Sequence, residues 1–165
     1  MPFIAGSSQS VVLLAASTLG GAAASIDVQN IPSGYGSLLV TVTVKSAVAD
    51  TAAVRINNDS GNNYGTCTIH NTGSVVTGTN QSATSSFKLG QTATDKFALF
   101  EVLIQQDAAN VKSLSSHGGV FTLQDITNGY NASVTAEINR LTFFGQGGQN
   151  FAAGTRIQIF GLKGT

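Results

Sequence analysis

The sequence is poor in charged residues and in the side chains on which most enzyme chemistry depends. Only 10% of its 165 residues are charged, against about 25% in an ordinary soluble domain, and the formal net charge is zero. There are two histidines, no tryptophan and one cysteine, Cys67, so an intrachain disulfide framework is excluded. The polar surface must therefore be built from Ser, Thr, Asn, Gln and Gly.

Clustered basic residues and long apolar runs are also missing. The eight Lys and Arg residues are scattered along the chain, whereas phosphate binding needs them clustered, so we expect no nucleic-acid partner. No apolar run approaches the roughly 20 residues of a membrane-spanning helix, so we expect no membrane partner. The apolar run at residues 11–16 imitates a secretion signal, but no Lys or Arg precedes it, which argues against cleavage.

What the chain does have is enough apolar material to fold. Hydrophobic residues make up 42% of the sequence and the mean hydropathy is +0.17, the opposite of a disordered composition. The length suits one compact domain. Because the net charge is near zero, no electrostatic repulsion keeps copies of the chain apart. The composition therefore predicts a folded protein that associates with itself.

Apolar and polar residues alternate with a period of two along most of the chain, which is typical of half-buried strands. Many short strands separated by turn residues predict one all-β domain, an antiparallel jelly-roll-like β-sandwich over residues 11–165, preceded by an N-terminal arm over residues 1–10. Strands are predicted at residues 11–15, 24–28, 38–45, 53–57, 66–70, 96–105, 111–115, 120–124, 133–137, 140–144 and 156–162.

Between the strands, residues that favour turns are clustered. Residues 117–119 and 128–129 each contain glycine and are predicted to be turns. The stretch at residues 71–84 is rich in Gly, Ser, Thr and Asn, with only two valines to bury. It is therefore predicted to be a long exposed loop or a hairpin.

The predicted strand at residues 96–105 is apolar on both faces. One face carries Phe97, Leu99 and Leu103, and the other carries Ala98, Phe100, Val102 and Ile104. Such a strand is either covered on both sides within the sandwich or lies at a subunit interface. Glu101 is the one charge inside it, and we expect it to pair with Arg140 or Arg156 or to face a neighbouring chain.

A second candidate contact is the N-terminal arm, where Phe3 and Ile4 are apolar anchors among small and polar residues. We expect the arm to lie across a neighbouring subunit. The candidate interface residues are therefore Phe3, Ile4, Phe97, Leu99, Glu101 and Leu103.

Nothing in the sequence predicts catalysis, a cofactor or a metal. His70 and His117 are interpreted as ordinary strand-end and turn histidines. Residues 57–63 carry many side-chain oxygens, but only Asp59 is charged, so a turn held by its own hydrogen bonds is favoured over a calcium site. Residues 145–148 have the glycines of a phosphate loop but no lysine, which favours a hairpin turn.

Several segments, in order along the chain, resemble a family of small virion proteins of tailed bacteriophages. They are residues 19–28 with Ile31-Pro32, residues 54–64, and residues 138–144 with 150–163. The resemblance implies a jelly-roll-like structural module of the virion, commonly trimeric, with no catalytic motif to carry over. Such modules occur as capsid decoration proteins and as tail or fibre components.

The sequence thus predicts a virion structural protein that is made in the host cytoplasm and is not an enzyme. The favoured form is a homotrimeric decoration protein on the capsid surface, with the major capsid protein or other virion proteins as partners. It would stabilise the head through self-association and contacts with the shell. One alternative is a tail or fibre module that binds the host receptor through residues 71–84. A host-surface glycan hydrolase is less expected, because it needs a carboxylate pair near one pocket.

Overall fold

The computed structural model describes residues 10–106, 111–120 and 123–163. Within these residues the chain forms twelve strands and no helix, so none that is long and apolar enough to cross a membrane. The strands are β1 Val11–Thr18, β2 Ser25–Gln29, β3 Ser37–Lys45, β4 Thr51–Ile56, β5 Tyr64–Asn71, β6 Val76–Thr84, β7 Phe87–Gln91, β8 Phe97–Gln105, β9 Lys112–Val120, β10 Leu123–Asn131, β11 Arg140–Gly145 and β12 Arg156–Leu162.

These strands form two antiparallel sheets packed face to face, which confirms the predicted all-β sandwich. The larger sheet has eight strands in the order β1-β12-β3-β8-β9-β10-β5-β6, and the smaller has four in the order β2-β11-β4-β7. One hydrophobic core lies between the two sheets. The first strand, β1, pairs with the last, β12.

Strand β3 shows why the sequence forms this fold. Its apolar residues Leu38, Val40, Val42 and Val44 are fully buried, while the threonines between them point outward. Burying an aliphatic side chain of this size stabilises the fold by about 1.5–3 kcal/mol relative to leaving it exposed. Strand β8 alternates in the same way, with its even-numbered residues in the core.

Two predicted strands are wrong. Residues 133–137 form a loop, because Asn131 Oδ1 accepts hydrogen bonds from the backbone N–H groups of Ser133 at 2.9 Å and Val134 at 2.7 Å. These bonds turn the chain away from the sheet. The prediction of one continuous strand at residues 120–124 is wrong because Val120 ends β9 and Leu123, its partner in the register, begins the antiparallel strand β10.

Two predicted turns are wrong as well. Residues 117–119 lie inside β9 and residues 128–129 inside β10. The glycines there allow close approach of neighbouring strands: a Cβ at Gly118 would lie 2.0 Å from the carbonyl oxygen of Leu99, and one at Gly129 would lie 2.1 Å from that of Gly65. Residues 71–84, predicted as a loop or a hairpin, belong to the hairpin of β5 and β6.

Asp59 organises the loop between β4 and β5. Its Oδ1 accepts the Gly61 N–H at 2.9 Å, and its Oδ2 accepts a hydrogen bond from the Asn131 amide at 2.7 Å. Burial pushes the pKa of Asp59 up, but hydrogen bonds from Asn131, Gly61 and Asn63 together hold it below the ordinary value of 3.8. This is the predicted side-chain-held turn, and no cluster of His, Cys, Asp and Glu suited to a metal occurs in the described part of the chain.

The glycine-rich segment between β11 and β12 binds a carboxylate of the same chain, that of Asp50. Asp50 accepts hydrogen bonds from the backbone N–H of Gly147 at 2.8 Å to Oδ1 and of Gln149 at 3.2 Å to Oδ2. A Cβ at Gly147 would lie 2.7 Å from Asp50 Oδ1, so glycine allows the carboxylate to approach. Two of the N–H groups that a phosphate loop would offer to a ligand are thus bonded to Asp50, and those of Gln146 and Gly148 are bonded to backbone carbonyl groups.

Candidate interaction surface

The candidate site is the outward face of the eight-stranded sheet, called here the outer face. The smaller sheet packs on the other side, so outward side chains of the larger sheet are left to solvent. On β8 these are Phe97, Leu99, Glu101 and Leu103, the predicted interface residues of that strand. Phe97 and Leu99 are each 53% exposed and Leu103 is 41% exposed. Among the residues that the structure describes, nothing covers the second face of β8, so the described part of the chain does not provide the alternative of a strand covered on both sides.

Four large apolar side chains lie side by side across four adjacent strands of this face. They are called here the apolar row, and the register places them in the order Leu13, Phe160, Leu39 and Leu103 on β1, β12, β3 and β8. Neighbouring strands are about 4.8 Å apart, so the row is a continuous stripe roughly 14 Å long. Leu99 and Phe97 extend it along β8.

The same row becomes polar on the other half of the sheet. From Leu103 it continues through Ser115, Asn128, Cys67 and Asn80 on β9, β10, β5 and β6. Ile69 and Ile126, paired with each other, are exposed apolar residues within this polar half. The outer face is therefore divided into an apolar half on β1, β12, β3 and β8 and a largely uncharged polar half.

Charges on the outer face are sparse. Across the described strands of the larger sheet, outward positions carry Lys45, Glu101 and Arg156. Lys45 sits at a corner, 3.8 Å from Asp95 and with its ammonium 6.0 Å from the centre of the Phe97 ring. A face with this little charge has a low desolvation cost on burial.

Glu101 lies in the middle of this face, and its cross-strand neighbours are Thr41 and His117. Among the described residues it forms no ion pair. The predicted partnership with Arg140 is wrong, because Arg140 belongs to the smaller sheet and bonds Asp27. Arg156 is on the outer face but two strands away from Glu101, and no ion pair joins them. In the described part of the chain, Glu101 thus points outward without an ion pair, and its contact with a neighbouring chain stays a prediction.

The ion pair between Asp27 and Arg140 should make the stability of the fold depend on pH. Arg140 Nε donates to Asp27 Oδ1 at 2.7 Å, and this bond is the main reason that the pKa of Asp27 lies below its ordinary 3.8. A carboxyl group whose pKa is lowered in the folded state stabilises the fold at pH values above its ordinary pKa. This contribution is lost as the pH falls through the pKa of the folded state. We expect Arg140→Gln to lower stability slightly at pH 7, with the difference from wild type vanishing at the acid end. Urea titrations between pH 7 and 2 measure this.

Lys96→Gln is the matched control for that titration, since it also removes one positive charge but lies on an exposed turn away from Asp27. It should follow the wild-type pH profile. A constant difference between Arg140→Gln and wild type across the whole range would contradict the assignment of the effect to Asp27.

One contact between two titratable side chains was not predicted from the sequence. The imidazole Nδ1 of His70, on β5, bonds Asp125 Oδ1 on the neighbouring strand β10, in a cavity between the sheets. The two residues are 55 positions apart, so no local pattern joins them. His117, predicted to lie in a turn, is on the outer face in β9. Phe3 and Ile4, the predicted anchors of the arm, lie outside the described residues.

Comparison with protein-family models gives no match, and comparison with curated proteins gives none either. Among solved structures, similar folds include CG-16, a homodimeric agglutinin from chicken liver, at a TM-score of 0.39 and 12% identity, covering 82% of this chain and 98% of the agglutinin. Another is scytalido-glutamic peptidase with a peptide-based transition-state analogue, at a TM-score of 0.33 and 13% identity, covering 87% of this chain and 63% of the peptidase. At these TM-scores the similarities say nothing about function.

Proposed function

We propose that this chain is a virion structural protein, a capsid decoration protein that works by self-association and by contacts with the shell. The observation that carries self-association is the apolar row with Leu99 and Phe97 beside it, on a sheet face with little charge; the ends of the row are exposed and its two middle residues are half-buried. Contiguous apolar patches of this kind mark interaction sites on soluble proteins. The assignment to a virion is supported by the sequence resemblance described above.

The occupant of the apolar half is a second copy of this chain. Eight strands of about nine residues give the outer face a flat area of roughly 1,000 Å², enough for the roughly 800 Å² per partner of a stable complex. Interfaces of that class combine an apolar centre with a polar rim, and the two halves of the outer face supply both. With a formal net charge of zero, no repulsion opposes the contact between copies.

The charged residues of the outer face are also consistent with a second copy of this chain as the partner. Glu101 has no cation within the described chain, and Arg156 is exposed on the same face without an ion pair there. In a symmetric assembly each copy offers both groups, so the Glu101 carboxylate of one copy meets the Arg156 guanidinium of the next. A charge buried at an interface needs such a partner. The resemblance implies three copies in the assembly.

Self-association is tested by placing a charge in the apolar row. Leu103→Asp buries an unpaired carboxylate at the contact, so we expect the mass from light scattering to fall from that of a trimer to that of one chain. A charge of that kind costs several kcal/mol in an interface. The matched control is Ile69→Asp, a change at a comparably exposed apolar residue in the polar rim of the same face, where the carboxylate keeps its water, so this variant should stay assembled.

Circular dichroism of both variants should match the wild type, because neither side chain is in the core. A wild-type chain that is monomeric at tens of micromolar, or a Leu103→Asp chain that stays assembled, would overturn self-association through this face. The number of copies per purified virus particle distinguishes a position on the capsid from one on the tail. Many copies per particle support decoration, and a few copies support the tail module instead.

A further inference from the structure

A second site lies away from the outer face, in a cavity between the two sheets. Its volume is about 170 Å³, room for a few water-sized groups, and it lies where β5, β6 and β10 of the larger sheet meet β4 and β7 of the smaller one. Its walls combine polar and apolar surface, and His70, Lys88, Asp125 and the threonines Thr51, Thr77 and Thr79 are among the lining residues. No other cavity described here gathers three titratable groups.

Asp125 has both carboxylate oxygens occupied. The residue is 1% exposed, its Oδ1 accepts the Nδ1–H of His70, and its Oδ2 accepts the backbone N–H of Gln91 at 2.6 Å. Glycine is required at position 90, because a Cβ there would lie 2.7 Å from Asp125 Oδ2. The carboxylate thus joins the larger sheet to the smaller one, which accounts for its burial.

His70 is oriented by this contact. With Nδ1–H donated to Asp125, the ring is fixed and Nε2 is the nitrogen left for the cavity that His70 lines. When the imidazole is protonated, Nε2–H is a donor and the charge of Asp125 is neutralised by the same ring. The pair therefore presents a hydrogen-bonding nitrogen to the cavity rather than a free carboxylate.

The position of Lys88 in the cavity wall is not explained by any ion pair among the described residues. It is partly buried on β7, it lines the cavity, and it forms no ion pair with any described carboxylate. Asp125, the acidic residue in the cavity wall, has its oxygens bonded to other groups. A partly buried lysine with no counter-ion among the described residues favours the arrival of an anion.

We propose that this cavity binds a small oxyanion, a carboxylate, sulfate or phosphate group, through the Lys88 ammonium, His70 Nε2 and the hydroxyl groups of Thr77 and Thr79. The Lys88 ammonium and the threonine hydroxyl groups donate hydrogen bonds, and His70 Nε2 does so when the imidazole is protonated; charge-assisted bonds to oxyanions are the strong ones. The lining favours an oxyanion over a metal cation, since the free charge is positive and the carboxylate oxygens are already used. The site does not depend on self-association.

Binding is measured by titrating the wild-type protein with inorganic phosphate, sulfate and acetate at constant ionic strength, using calorimetry and the His70 ring signals in NMR spectra. To separate a free anion from the same group on a sugar, glucuronate is titrated beside uncharged glucose. We expect saturable binding of at least one oxyanion, with a shift of the His70 signals, and no binding of glucose.

Lys88→Gln should weaken that binding at least tenfold, because it removes the cation and keeps most of the side-chain volume. Lys96→Gln, which removes an exposed lysine outside the cavity, should bind as the wild type does. Thr79→Val is a second cavity variant on the exposed strand β6, where substitution leaves the core intact, and it should also bind more weakly. Equal binding in the Lys88 and Lys96 variants, binding of glucose as strong as glucuronate, or no saturable binding of any oxyanion would overturn the proposal.

Discussion

Replacing Phe100 by alanine is expected to lower the free energy of unfolding by about 3–5 kcal/mol, a range typical of buried phenylalanines. The ring is fully buried in β8, and it fills the space beside two glycines. A Cβ at Gly90 would lie 2.5 Å from Phe100 Cε1, and one at Gly118 would lie 2.8 Å from Phe100 Cδ1. Glycines have no side-chain atoms that could move into the space, so the cavity left by the truncation stays large. Urea denaturation followed by circular dichroism measures the loss.

Phe97→Ala is the matched control, since it is the same substitution on the same strand but on the outer face, where the ring is 53% exposed. Its effect on the unfolding free energy of the monomer should stay within about 0.5 kcal/mol. To keep self-association out of the comparison, both substitutions are made in the Leu103→Asp background. Equal losses for the two variants would contradict the division of β8 into a core face and an outer face.

The second large effect is expected from Gly118→Ala. The added Cβ would lie 2.0 Å from the backbone carbonyl oxygen of Leu99 and 2.7 Å from Phe100 Cα, both on the paired strand β8. A backbone atom cannot rotate away as a side chain does, so β8 and β9 must separate locally. Overpacking of a well-packed site costs about 1–3 kcal/mol, and we expect the upper end of that range. The midpoint of urea unfolding reports it.

Gly78→Ala provides the comparison for that variant. Gly78 is also within a strand of the larger sheet, but a Cβ there meets nothing within 4 Å. Alanine at this site restricts the unfolded chain without a clash, so stability should be unchanged or should rise by about 0.4–1 kcal/mol. A Gly118→Ala protein as stable as the wild type would show that β8 and β9 are not held as closely as the structure has them.

Local pattern was enough to predict much of the fold. The valines of β3 and the apolar residues of β8 alternate clearly because one side of each strand is core, and the pattern marks that side. Strand β6 could not be found in this way, since it is exposed along nearly all its length and has no buried side to produce a pattern. The glycines in β9 and β10 were predicted to be in turns. They are needed instead because another strand approaches closely, and a local sequence pattern does not show such a contact.

The candidate surface was predicted in part for the same reason. Phe97, Leu99 and Leu103 are separated by even numbers of residues on one strand, so their shared face follows from the period of a strand. Leu13, Leu39 and Phe160 join them only through the register of β1, β3 and β12, which the sequence of one strand does not encode. The contact between His70 and Asp125 depends on the register of β5 and β10 in the same way.

The pairing of the first strand with the last also constrains how the protein is made. Strand β1 has β12 as its neighbour in the sheet, and β12 begins only at Arg156. On the ribosome, Val11, Val12 and Leu13 therefore wait unpaired until nearly the whole described chain has been synthesised, and contacts so distant in sequence form slowly. A chain cut before β12 would expose the β3 edge and strand β1 together, two unpaired strands of the kind that lead to aggregation. Synthesis of β12 is thus the step that closes this half of the sheet.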